Sequence, residues 1–116
     1  MESKKYTLPL RQADRNIYDF IENGQKKVET RVAGPRYKNI KDGDTIVFKC
    51  GKDRFERFAK KVKKFKSVDK MLKVYKLKDI NPSINTIKEL KAMYDSFSGY
   101  KEKIKKYGII AFELLK

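Results

Sequence analysis

The chain has 116 residues, with 30 lysines and arginines against 15 acidic residues and a formal net charge of +15. It contains no histidine and a single cysteine, Cys50, so a Ser-His-Asp triad, a Cys-His pair, a His-ligated zinc site, an internal disulfide and a multi-thiolate metal site are excluded within one chain. An apolar content of 40% supports one modest core and one domain over residues 1–116, and no metal or other cofactor is expected.

In chain order, residues 14–23 read as a short helix, with Asp14 as its cap, Ile17, Phe20 and Ile21 on one face, and Gly24 as its stop. From Lys27 to Val32 the period becomes two. Val28, Thr30 and Val32 face one way and Lys27, Glu29 and Arg31 the other. Gly34-Pro35 breaks this strand and Asp42-Gly43-Asp44 marks a turn. Residues 45–50 form a second strand with Ile46, Phe48 and Cys50 inward. Gly51-Lys52-Asp53 turns the chain into a long third strand from Arg54 to Phe65. Phe55 and Phe58 cannot both face inward on a regular strand, which predicts a bulge between them.

Residues 67–76 read as a helix capped by Ser67, with Val68, Met71, Leu72 and Tyr75 inward. After Pro82, the capping box Thr86-Ile-Lys-Glu89 opens a helix with Ile87, Leu90, Met93, Tyr94 and Phe97 on one stripe. A polar loop at 98–100 leads through the lysine-rich stretch 101–106 to a closing strand from Tyr107 to Leu115, with Ile110, Phe112 and Leu114 inward. The order helix, three strands, two helices, strand predicts an α+β fold: a small, partly open β-barrel flanked by three helices.

The positive charge is concentrated in the second half of the chain and points to a polyanionic partner, foremost RNA. No apolar run approaches the roughly 20 residues that span a bilayer, and the N-terminus lacks an apolar signal core. A cytoplasmic monomer without a membrane partner is therefore expected.

The densest chemical cluster is Gly24-Gln-Lys26-Lys27-Val-Glu29-Thr-Arg31. Glu29 and Arg31 share a strand face about 7 Å apart and can join a lysine from the preceding loop. Such crowding lowers the pKa of the carboxylate and can lower that of the lysine, which is how a histidine-free site could supply a base. The plain alternative is a solvated strand face whose charges pair weakly.

The segment Phe20-Ile-x-x-Gly24-x-Lys26-x-x-Glu29-x-Arg31, followed by Tyr37-Lys-x-Ile40-Lys-x-Gly43-Asp44-x-Ile46-x-Phe48, resembles an ASCH domain, the activating signal cointegrator homology group of the PUA-like superfamily. The ending Lys106-Tyr107-Gly108-Ile-Ile-Ala-Phe-Glu113 is similar to that family's closing strand. The resemblance implies a PUA-like barrel with a cleft beside the motif and binding of RNA or a modified nucleoside. It also implies that some relatives are hydrolases, including ribonucleases. One bacterial branch removes the acetyl group of N(4)-acetylcytidine with a Lys at the position of Lys26 and a Thr three residues later, where this chain has Glu29. That branch's later Glu has no clear counterpart in Asp79-Ile-Asn-Pro-Ser.

Gly24, Lys26, Glu29, Arg31 and Tyr37 are accordingly the candidate ligand-binding residues. Glu29 can accept a hydrogen bond from an exocyclic amine, while Arg31 and Lys26 hold a phosphate or carbonyl oxygen. Arg36, Lys38, Lys61, Lys63, Lys103, Lys105 and Lys106 form the candidate rim for an RNA backbone. Tyr37, Tyr100 and Tyr107 border basic or glycine-containing loops and are candidates to stack on an unpaired base. The leading expectation is an RNA- or modified-nucleotide-binding domain. The alternatives are a small hydrolase with Glu29 as catalytic base and Lys26 as oxyanion stabiliser, and a basic module that binds an acidic protein.

Overall fold

A computed structural model describes residues 3–115. Five strands make one sheet: β1 (Lys5–Leu10), β2 (Val28–Val32), β3 (Thr45–Cys50), β4 (Asp53–Phe65) and β5 (Ile109–Leu115), in the order β1-β3-β4-β5-β2. β1 runs parallel to β3, and the other pairs are antiparallel. The helices are α1 (Arg15–Glu22), α2 (Val68–Leu72), α3 (Leu77–Ile80), α4 (Ile87–Ser96) and α5 (Tyr100–Tyr107), with a 3-10 turn at Gln12–Asp14 before α1. The result is an α+β fold around a five-stranded half-barrel.

Apolar side chains cover both faces of the sheet. Inside the half-barrel, Leu8, Ile46, Phe48, Ile110 and Phe112 pack with Tyr18 and Ile21 of α1. On the outer face, Val28, Ile109 and Ala111 pack with Met71, Ile80, Leu90 and Tyr94 from α2, α3 and α4. Ile109 to Phe112 are therefore all buried, and the inner set expected there is only half of what β5 buries.

The bulge lies further along β4 than expected. Pairing with β3 is regular from Asp53 to Phe58, and the irregularity falls between Ala59 and Lys61 against β5. Phe58 avoids the conflict with Phe55 by facing outward, 55% exposed. The stretch 67–76 is helical only to Leu72. Its cap holds, since the Ser67 hydroxyl accepts from the Lys70 amide, and a turn then precedes α3. Asp14 precedes α1 but does not cap it; its carboxylate binds the Arg11 guanidinium at 2.8 Å. Ile87 begins α4 at 49% exposure rather than joining the buried stripe.

Three elements, β1, α3 and α5, are absent from the sequence reading, so five helices stand where three were expected. β1 is an edge strand whose Lys5-Tyr-Thr-Leu-Pro9-Leu pattern includes a proline, a residue that only an edge tolerates. The polar loop and lysine run at 98–106 become α5, which starts after Gly99 (φ 72°) and stops at Gly108 (φ 80°). Gly24, with φ 85°, ends α1 as expected.

Candidate nucleic-acid interface

Lys26, Glu29 and Arg31 converge on the inner face at the β2 edge. α1 ends at Gly24, and the chain folds back so that the Lys26 amide donates to the Phe20 carbonyl at 2.9 Å. The Lys26 side chain then turns inward. Its ammonium donates to the carbonyl of Val28 at 2.9 Å and to that of Ile80, the last residue of α3, and stands 3.5 Å from Glu29 Oε1. The Lys27 amide donates to Asp79, so this bend also pins α3 against β2.

Glu29 is 5% exposed, so the alternative of a solvated, weakly paired charge does not hold for it. Its Oε1 accepts from the Thr30 amide at 2.7 Å, and its Oε2 lies 3.7 Å from the Arg31 guanidinium. Burial alone would push the Glu29 carboxyl up. The charges of Lys26 and Arg31, with the Thr30 amide, hold it below its ordinary value. Burial presses the Lys26 ammonium below the usual lysine range, against the pull of Glu29. On the opposite face, the Thr30 hydroxyl hydrogen bonds the Tyr94 hydroxyl at 2.6 Å.

Arg31 is the member of the cluster that reaches outward. Both terminal nitrogens lie 3.4 Å from the carbonyl of Pro9 in β1, the opposite edge of the sheet. One side chain thus spans the seam that the open half-barrel leaves between its edges. The Arg31 guanidinium also faces the Tyr37 ring at 5.9 Å, and Arg36 faces the same ring at 5.3 Å.

The predicted rim is brought together in part. Val32 pairs with Ile109, and Ile109 with Phe65, so the ends of β2 and β4 meet the start of β5. Gly34 lies against the Tyr107 ring, and Gly108 against the backbone of Phe65 and Lys66. Arg36, Lys38, Lys105 and Lys106 therefore share one end of the half-barrel. The same construction brings Lys64 and Lys66 there, two residues the rim prediction omitted. Lys64 pairs with Ile110, which pairs with Arg31, so Lys64 and Arg31 point to the same inner face. A shallow depression of about 540 Å³ lies between Lys64, Val62 and the 40–42 turn.

Lys61 and Lys63 pair with Glu113 and Ala111 and extend along the outer face, while Lys103 lies one turn back on α5. None of the lysines at 60–66 or 101–106 forms an ion pair among the described residues. The signal that could have found Lys64 and Lys66 was the bulge position, which decides the side each lysine takes.

A five-stranded half-barrel sheet flanked by these helices is a PUA-like fold. The ASCH domain profile matches residues 16–116, and the chain belongs to the ASCH family. A crystal structure described as that of hypothetical protein PH0355 is similar, with a TM-score of 0.79 and 28% identity over 95% of this chain and 96% of that one. The solution structure of protein PF0455 from Pyrococcus furiosus is also similar, with a TM-score of 0.73 and 29% identity over 95% and 94% of the two chains. No curated protein matches the sequence. No helix among the described residues is long and apolar enough to cross a membrane.

Proposed function

We propose that the chain is an RNA-binding ASCH domain that holds the phosphate backbone on its basic end and a nucleotide at Arg31. The observation that supports this best is the placement of Arg31. Its guanidinium is oriented by buried Glu29, yet lies at the sheet edge on the same face as Lys64 and beside Tyr37 and Arg36. A fixed guanidinium suits phosphate or base-edge recognition, and the surrounding lysines suit sequence-independent phosphate contact. In this reading Gly24 and Lys26 set the bend, Glu29 orients Arg31, and Arg31 and Tyr37 meet the nucleotide. Arg36, Lys38, Lys105 and Lys106, with Lys64 and Lys66, take the backbone, and Lys61, Lys63 and Lys103 extend that path.

The hydrolase reading requires Glu29 to activate water and Lys26 to stabilise an oxyanion. Glu29 is enclosed, and the Lys26 ammonium already serves two backbone carbonyls and Glu29. Binding requires neither group to be free, and this favours it over catalysis.

The test is RNA affinity at fixed salt for the natural chain, R31Q, K105Q/K106Q and a control, K70Q/K73Q, on α2 and the residue that follows it. R31Q should weaken binding by ~5-fold or more, in the range of one lost charged contact. The rim pair should weaken it and flatten its salt dependence, with a smaller effect in the control. Equal loss in rim and control variants, or no RNA binding at all, would overturn the assignment, as would turnover of an acylated cytidine.

A further inference from the structure

We propose that the seam between the two edges of the half-barrel is a stacking strip for unpaired bases of single-stranded RNA, built from Arg11, Phe97, Tyr100, Arg31, Tyr37 and Arg36. This rests on the reading of the chain as an RNA binder and deepens it by naming the strandedness of the partner.

These residues come from four separate parts of the chain. Arg31 on β2 reaches Pro9, two residues before Arg11. The Arg11 guanidinium lies 5.7 Å from the centre of the Phe97 ring, at the end of α4. Phe97 meets Tyr100 edge to face at 5.0 Å, and Tyr100 stacks on buried Tyr94 at 6.2 Å with an interplanar angle of 11°. Tyr94 is in turn tied to Thr30 on the outer face of β2. Through Tyr94 and Thr30, Tyr100 at the start of α5 packs over β2, the strand that carries Arg31. Beyond Arg31 come Tyr37 and Arg36. Arginines and rings are therefore interspersed along the junction of the two cores.

Phe97, Tyr100, Tyr37 and Arg31 are all half-buried, so each is anchored while retaining exposed surface. Arg11 and Arg36 are exposed at the two ends. Asp14 pairs with Arg11 and Glu29 with Arg31. The rings are fixed from behind by Tyr94 and the inner core, so little ordering is needed when a base arrives. Anchored rings beside guanidinium groups are what base stacking uses, and every base offers a π-face. A duplex keeps its bases stacked on one another, so only an unpaired strand can use such a strip.

The experiment uses an oligouridine carrying one 2-aminopurine and a paired hairpin of equal length, titrated with the full chain and with F97L, R11Q and K105Q/K106Q. The expected result is quenching of 2-aminopurine on binding, affinity for the single strand at least ~10-fold above that for the hairpin, and a ~5-fold or greater loss in F97L, within the range for one stacked base. R11Q, on an exposed arm, should reduce quenching and affinity without touching the core. K105Q/K106Q should weaken binding yet leave the quenching at saturation unchanged. Equal affinity for single strand and hairpin with no quenching, while K105Q/K106Q still binds weakly, would overturn the strip and leave the rim in place. Binding of neither RNA would overturn both.

Discussion

Glu29 is the residue on which the inner edge of β2 depends. It is buried between Lys26 and Arg31, so removing its charge leaves two cations without their partner. Breaking a buried pair from one side costs on the order of 3–5 kcal/mol. E29Q should therefore lower the unfolding free energy by an amount of that order at pH 7, read as a lower urea midpoint with little change in slope. The pH dependence has a definite sign. The folded carboxyl titrates below its ordinary value of 4.5, so its contribution is complete above that pH and disappears as the pH falls through the folded value. The gap between the natural chain and E29Q should close in acid. A gap that stays constant from pH 7 to pH 3 would show that the Glu29 charge does not stabilise the bend.

At the scale of elements, the ends of segments were legible where a residue type has one local role. Ser67 and Thr86 accept from the amides three residues on, and Gly24 stops α1 in the left-handed region, as their sequence positions require. The motif from Gly24 to Arg31 was legible as a cluster because strand alternation puts Glu29 and Arg31 together. That Lys26 would spend its ammonium on Val28 and Ile80 was not, since Ile80 is 54 residues away. β1 was hidden by Lys5 and Pro9, which weaken the strand pattern without harming an edge. α5 was hidden because its lysines face solvent and only Ile104 and Tyr100 mark its packed side.

The junction of α5 and β5 offers a sharp test of local geometry. Gly108 has φ 80° and ψ −169°, a region essentially closed to other residues, and an added Cβ would lie 2.4 Å from the Phe65 carbonyl. Gly43 has φ 89° with open space around it. G108A should cost ~3 kcal/mol or more and lower Tm by on the order of 10 °C, with a clearly smaller loss in G43A. Equal losses would mean that the approach of β4 to this turn is looser than described.

Over the whole molecule, the +15 charge becomes informative only through the topology. β5 lies between β4 and β2, so the end of the lysine run at 60–66, the end of α5 and the loop after β2 meet at one end. The ends of two runs that read as separate stretches of sequence thus lie at the same end of the sheet. The most direct test of that arrangement is an amide and arginine side-chain NMR titration with single-stranded RNA. Shifts are expected at Arg31, Arg36–Lys38, Lys64–Lys66 and Lys105–Gly108, and along the seam at Arg11, Phe97 and Tyr100, with α1 and the β3–β4 turn unchanged. Shifts centred on the α2 surface or the β3–β4 turn, with Arg31 and Lys105–Gly108 silent, would contradict it.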